Sequence, residues 1–244
     1  MKQHEVVQLA LEQNGGFATL GQLYHVVTKM PEWKSGSLTP FASIRRIVQV
    51  YPELFFRIRP GLWGLAAQKE AVSHELALPT YVPAAKSDAF SHSYYQGLLV
   101  EVGNLKQYQT AVPAQDKNQL FLRRKLLEVA TLAQPYDFTY SDIMSKAKTV
   151  DVSWFNARRF PQAFFEVEHS TDIYNSLLKY MEFQDFRTEF WIVADAVRKA
   201  EFEKKVSAAA FKPIQVRVKF MDYVALSKLH SALSESIAQE ALLK

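Results

Sequence analysis

One stretch, Thr149 to Tyr180, reading TVDVSWFNARRFPQAFFEVEHSTDIYNSLLKY, limits the fold more than any other part of this 244-residue chain. Thr149–Phe155 is β-branched and aromatic, Arg158–Pro161 interrupts, and Gln162–Glu168 is a second apolar run broken only by acids. Such runs favour two strands joined by a turn. Side chains alternate along a strand, so Phe164, Glu166 and Glu168 share one face while Phe165 and Val167 share the other. Asp151 sits inside the first strand, between Val150 and Val152. From Thr171 to Asp185 the spacing turns helical, with Ser170 or Thr171 placed to cap. Carboxylates within apolar strands are destabilising unless something compensates their charge. A divalent cation with hard oxygen ligands does so. The plainer alternative is a half-exposed sheet whose wet face carries Glu. Phe164 on the face of both glutamates, and Trp154 and Phe165 for the other face, argue for burial instead.

An Asp on one strand, a Glu-x-Lys type tripeptide on the next, and then a helix resembles the PD-(D/E)XK nuclease superfamily, which includes many restriction endonucleases. Here the tripeptide is Glu166-Val167-Glu168, a Glu-x-Glu variant that some members carry. The run FEVEHSTDIYNSLLKY resembles a restriction-enzyme-like subgroup in which a Phe-Glu-Val-Glu strand leads into a Ser-Thr-started helix. The resemblance covers roughly residues 90–225. It implies an α/β core (α+β for the chain as a whole) with a mixed sheet, and hydrolysis of phosphodiester bonds. It also implies that Asp151 and Glu166 bind Mg²⁺ or Mn²⁺, with Glu168 as general base or ligand to a second metal. Lys179 is the nearest candidate for the missing cation. The first helix of such folds often supplies another acid, and Glu101 is the candidate. Asp137 and Asp142 are alternatives in a segment with no strand pattern.

Upstream, residues 3–13, Leu20–Lys29 and about 40–50 have helical spacing. Asn14-Gly15-Gly16 ends the first helix, Thr19 caps the second, and Thr39-Pro40 opens the third. Phe55 to Ile58 and Leu62–Leu65 read as a hairpin around Arg59-Pro60-Gly61. Three helices and a hairpin describe a winged helix-turn-helix. Thr39-Pro40, the Ile44–Val48 helix core, Phe55-Phe56-Arg57 and Pro60-Gly61-Leu62-Trp63-Gly64-Leu65 resemble the HARE helix-turn-helix domain, which is found fused to restriction-endonuclease domains. The resemblance implies that residues 1–66 bind double-stranded DNA, with Arg45, Arg46 and Gln49 on the reading helix and Arg57 and Arg59 on the wing. Residues 67–91, containing Pro79, Pro83 and a Ser-rich end, read as a linker, and 92–244 as the nuclease-like domain.

Within that second region, Ser91–Leu105, Asn118–Leu132 and Arg198–Ala210 read as helices, Tyr108–Pro113, Phe190–Ala194 and Val216–Phe220 as strands, and Tyr223 onward as a last helix. The six His are scattered, and His169, next along the strand from Glu168, is expected on the opposite face. The absence of cysteine excludes disulfides and thiolate metal sites. No apolar run approaches the ~20 residues of a membrane helix and no charged–apolar–small leader opens the chain, so no membrane partner and a cytoplasmic location are expected. The net charge of +4 permits nucleic-acid binding without indicating it. The family resemblance further implies a homodimer that cuts both strands of a symmetric site. Two readings compete with a nuclease: an inactive DNA-binding regulator using the second domain for dimerisation, and a protein-binding adaptor.

Overall fold

A computed structural model describes residues 1–33, 39–78 and 84–242. The chain forms two compact units, one of residues 1–83 and 227–244, the other of residues 84–226. It is an α+β protein.

In the first unit, helices α1 (Gln3–Gln13), α2 (Leu20–Val27) and α3 (Pro40–Val50) pack over a three-stranded antiparallel sheet of β1 (Phe17–Thr19), β2 (Phe55–Arg59) and β3 (Leu62–Leu65), in the order β1-β3-β2. Thr19 starts α2 with a reciprocal pair of bonds. Its Oγ1 accepts from the Gln22 N–H at 3.2 Å, and its own N–H donates to Gln22 Oε1 at 2.8 Å. Gly61 turns the β2–β3 hairpin at φ +74°, a conformation that only glycine adopts without strain. The core gathers Val7, Leu11, Leu23, Tyr24, Phe41, Ile44 and Val48 from the apolar stripes of the three helices.

A short helix α4 (Lys69–Glu75) follows, and α5 (Ala84–Leu105) begins well before Ser91. The stretch read as linker is therefore largely helical where it is described; Pro79 and Pro83 lie outside the described residues. The divide falls at Pro83, and the C-terminal segment from Ser227 belongs to the first unit. The cause lies in α10 (Tyr223–Leu242), whose Ala238 joins the core of that unit.

The second unit is built on a five-stranded sheet with β8 (Pro161–Glu168) at its centre. The remaining elements of this unit are, in chain order, β4 (Gln109–Ala111), β5 (Leu120–Phe121), β6 (Arg124–Lys125), α6 (Leu126–Val129), α7 (Ser141–Ala147), β7 (Val152–Phe155), α8 (Ile173–Met181), β9 (Glu189–Ala194), α9 (Lys199–Val206) and β10 (Val218–Asp222). The sheet order is β10-β9-β8-β7-β4. β4, β7 and β8 form an antiparallel meander, after which α8 carries the chain across to β9, parallel to β8, with β10 parallel to β9 at the edge. One face of the sheet presents Phe164, Phe190 and Ile192 to Ile173, Leu177 and Tyr180 of α8 and Phe202 of α9. The other face meets α5, where Trp154 Nε1 donates to the Leu99 carbonyl at 3.1 Å and Trp154 packs on Phe165.

Residues 118–132 are not the expected helix. They fold as the β5–β6 hairpin and the single turn of α6, with Leu122 at φ +56° in the tight bend. Phe121 is the anchor: it is buried against Gly97 of α5, where an added Cβ would lie 2.1 Å from the Phe121 ring. That one long-range contact outweighs local helical preference.

Candidate active site

β7 and β8 pair with Val152 opposite Phe165, so Asp151, one residue before β7, comes beside Glu166 and Val167. Asp151 lies just outside the strand rather than within it. Its Oδ2 accepts the Val167 N–H at 2.8 Å, which pins the carboxylate against β8. Alternation along β8 sends Glu166 and Glu168 to the α8 side with Phe164. Both are buried, 5 % and 4 % exposed.

α8 supplies their partners. It is capped by Asp172, whose carboxylate accepts the Tyr174 N–H at 2.9 Å, and not by Ser170 or Thr171. Thr171 instead donates its hydroxyl to Glu168 Oε2, while Ser176 Oγ donates to Glu168 Oε1 and, at 3.5 Å, to Glu166. One turn further on, at i+3 from Ser176, Lys179 Nζ lies 2.8 Å from both Glu166 oxygens and 3.0 Å from the Thr149 carbonyl. Burial pushes the Glu166 carboxyl well above the usual range; the charge of Asp151 adds to this, and Lys179 opposes it.

α5 closes the other side. His92 Nε2 is 3.7 Å from Asp151 Oδ1 and 4.0 Å from Asp116. Fully buried Gln96, one turn on, donates to Asp116 Oδ2 at 2.8 Å and to the Asp151 carbonyl at 3.2 Å. Burial alone would lower the His92 pKa, but the adjacent Asp151 carboxylate, helped by Asp116, outweighs it and the pKa is raised. Burial raises the Asp116 pKa; the Gln96 hydrogen bond opposes this and the charge of Asp151 adds to it. One donor atom from each of His92, Asp116 and Asp151 lies within 4.8 Å of the others.

A cavity of about 540 Å³ is lined by Asp151, Glu166, Glu168 and Lys179 together with His92, Asp116 and Ser176. Four of the residues singled out in the sequence thus meet at one place. Glu101 is not among the lining residues. It lies nine residues beyond His92 on α5, which puts it about 13 Å along the helix and on the opposite side. The helix does contribute to the cavity, but through His92. Asp137 pairs with Lys148 at 3.7 Å and Asp142 opens α7; neither lines the cavity. His169 also lines it, from the α5 side of the sheet, opposite Glu168 as strand alternation expects. His169 Nε2 faces Asp88 at 3.0 Å.

A family model for the type II restriction enzyme NmeDI C-terminal domain matches residues 77–242, more than half of the chain. The chain belongs to that family. It is thus a restriction-endonuclease-like protein, and the whole cavity lies within the matched residues. No curated protein and no solved structure matches the chain. His92, Asp116 and Gln96 escaped the sequence reading. A signal existed: His92 and Gln96, spaced i and i+4, put polar groups on one stripe of the helix.

In the first unit, Arg46 and Gln49 are exposed on α3 and Arg57 is exposed on β2, while Arg59 is half-buried. Arg45, half-buried, is tied to its own unit: its Nε donates to Tyr24 Oη at 3.1 Å and its Nη2 to Glu235 at 2.6 Å. Among the described residues no helix is long and apolar enough to cross a membrane.

Proposed function

We propose that this chain is a metal-dependent DNA endonuclease of restriction–modification type. The observation that carries the reading is Glu166: a buried carboxylate beside Asp151, at a cavity of a restriction-enzyme family domain. The helix–meander–helix–strand order of α5, β4, β7, β8, α8 and β9 is what a PD-(D/E)XK core would require. The residues fit a hard divalent cation such as Mg²⁺ or Mn²⁺, because Asp151 and Glu166 offer oxygen donors and Glu166 is an acid whose charge is only partly compensated. When bound, such a cation would polarise the scissile phosphate and acidify a bound water.

The chain's own groups then have distinct tasks. Asp151, oriented by the Val167 N–H, and Glu166 are the ligands. Lys179, 2.8 Å from Glu166, supplies the cation the Glu-x-Glu strand lacks, and its ammonium would be at hand for charge that builds on phosphate. Glu168, with hydroxyls on both oxygens, fixes the corner between β8 and α8 as a positioning residue. In the reaction a water oxygen bonds to phosphorus, one bridging P–O bond breaks, and the leaving oxygen takes up a proton.

The α1–β1–α2–α3–β2–β3 order of the first unit supports a winged helix-turn-helix that binds double-stranded DNA through Arg46 and Gln49 of α3 and Arg57 of the wing. Arg45, tied to Glu235, serves the unit's own packing. A homodimer would let two such sites cut both strands.

One observation favours an inactive DNA-binding regulator instead: both Glu166 oxygens are already held by Lys179 within the protein. Digestion of mixed-sequence duplex DNA with and without Mg²⁺ or Mn²⁺ decides. The endonuclease reading expects metal-dependent cleavage that Glu166→Gln abolishes. Intact DNA under every condition, with retained salt-dependent binding, would establish the regulator.

A further inference from the structure

The two carboxylate oxygens of Asp151 have different surroundings. Its Oδ2 accepts from Val167, while Oδ1 faces the imidazole of His92 at 3.7 Å, with Asp116 on the far side of that ring nitrogen at 4.0 Å. Both separations are too long for hydrogen bonds. They suit donors that share a cation: with metal–ligand bonds of about 2.1 Å, neighbouring ligands stand about 3.0 to 4.2 Å apart, depending on the angle between them. Gln96 is a second sign of unused polar capacity. It is fully buried, its Nε2 holds Asp116 and the Asp151 carbonyl in place, and its Oε1 has no hydrogen-bond partner.

We propose that His92, Asp116 and Asp151 form a second cation position, distinct from the Asp151–Glu166 position, that takes a transition metal such as Mn²⁺ ahead of Mg²⁺. The donor chemistry sets the preference. Mg²⁺ favours all-oxygen surroundings and keeps much of its water, whereas first-row transition metals, Mn²⁺ the weakest binder among them, accept an imidazole nitrogen more readily. Asp151, a ligand proposed at both positions, links them. The use of this position in catalysis rests on the endonuclease reading, but its occupancy does not.

The test uses the full-length chain stripped with EDTA and titrated with MnCl₂ or MgCl₂ by calorimetry. Electron spin-echo measurements on the Mn²⁺-loaded protein report directly whether a ring nitrogen is bound. Wild type is expected to take two Mn²⁺ and to show nitrogen coupling. His92→Asn should retain one Mn²⁺, lose the nitrogen coupling, and keep its Mg²⁺ affinity within about twofold, since a Mn²⁺–imidazole bond is what the change removes. Asp116→Asn, which keeps the shape of the site, should weaken the same Mn²⁺ event at least about tenfold. Stoichiometry, affinity and spin-echo signal unchanged in both variants would overturn the second position and leave the endonuclease reading standing. No binding of either metal by wild type would overturn both.

Discussion

Glu166→Gln keeps the shape of the side chain and removes its charge, so its effect on folding can be worked out. Lys179 contacts both Glu166 oxygens at 2.8 Å. The amide retains one acceptor and loses one charge-assisted bond, a loss of about 1.5–3 kcal/mol. Against that, a carboxylate 5 % exposed and repelled by Asp151 no longer has to be buried ionised. The two effects oppose each other, and Lys179, with 22 % of its side chain exposed, keeps access to water. The net change in metal-free stability at pH 7 should therefore stay within about 2 kcal/mol. The pH dependence is more telling. The folded-state pKa of Glu166 lies well above its unfolded value, so the native state holds a proton that the unfolded state has released. Its contribution is fully present below the ordinary carboxylate pKa of about 4.3 and is lost as pH rises through the folded value. His92 and Asp116, also raised, act in the same direction and are common to both proteins, so the difference between them isolates Glu166. Urea unfolding in EDTA from pH 5 to 8 should show Glu166→Gln gaining on wild type as pH rises, by at most about 1.4 kcal/mol per pH unit. Parallel curves would mean that Glu166 titrates alike folded and unfolded, and the buried-acid reasoning would fail.

Other outcomes follow from single contacts. Lys179→Met leaves the buried Glu166 without its cation; it should lower metal-free stability by about 1–3 kcal/mol in denaturant titrations and reduce cleavage by about a hundredfold or more. Glu101→Gln, changed on the side of α5 away from the cavity, should leave the cleavage rate of folded protein within about twofold of wild type. Arg46→Ala with Gln49→Ala should weaken duplex binding and flatten the slope of log affinity against log salt by about one, whereas Arg45→Ala should chiefly lower the melting temperature by breaking its bonds to Tyr24 and Glu235. Gly97→Ala should destabilise by about 2 kcal/mol or more in urea melts, because its Cβ would fall on the Phe121 ring.

The sequence carried the site where chemistry repeats a local pattern. Period-two alternation placed Glu166 and Glu168 on one face of β8, and strand pairing then brought Asp151 to them. The three N-terminal helices were readable because Thr19, Pro40 and the glycines at 15, 16 and 61 mark their ends and the turn of the hairpin. Reading failed where distant contacts decide. The basic run Arg123-Arg124-Lys125 has helical preference, yet Phe121 is buried against α5 and forces a hairpin. The expected domain limits missed the return of Ser227 onward to the first unit, because an amphipathic helix does not announce which core its apolar stripe will join.

Lys179 illustrates how the fold can supply a compensating charge from another element. A Glu at position 168 stands on the same strand face as Glu166, about 7 Å along. A lysine there could reach back to the neighbouring carboxylate directly. With Glu in that place the strand would carry two uncompensated acids, and the compensation has to come from another element. α8 provides it because β8 runs into α8 through a tight corner and returns the helix across the same sheet face. Ser176 and Lys179, three residues apart, then stand over Glu168 and Glu166 in register, the hydroxyl over one acid and the ammonium over the other. The reverse exchange is testable. Glu168→Lys combined with Lys179→Ala should recover at least about tenfold of the cleavage that Lys179→Ala loses, with metal-free stability closer to wild type than that of Lys179→Ala. Recovery of stability without cleavage would show that the position of the ammonium, and not merely its charge, matters to the reaction. Recovery of neither would mean that the Glu168 hydroxyl contacts at the β8–α8 corner cannot be given up, and that the helix, once recruited to supply the cation, has become fixed there.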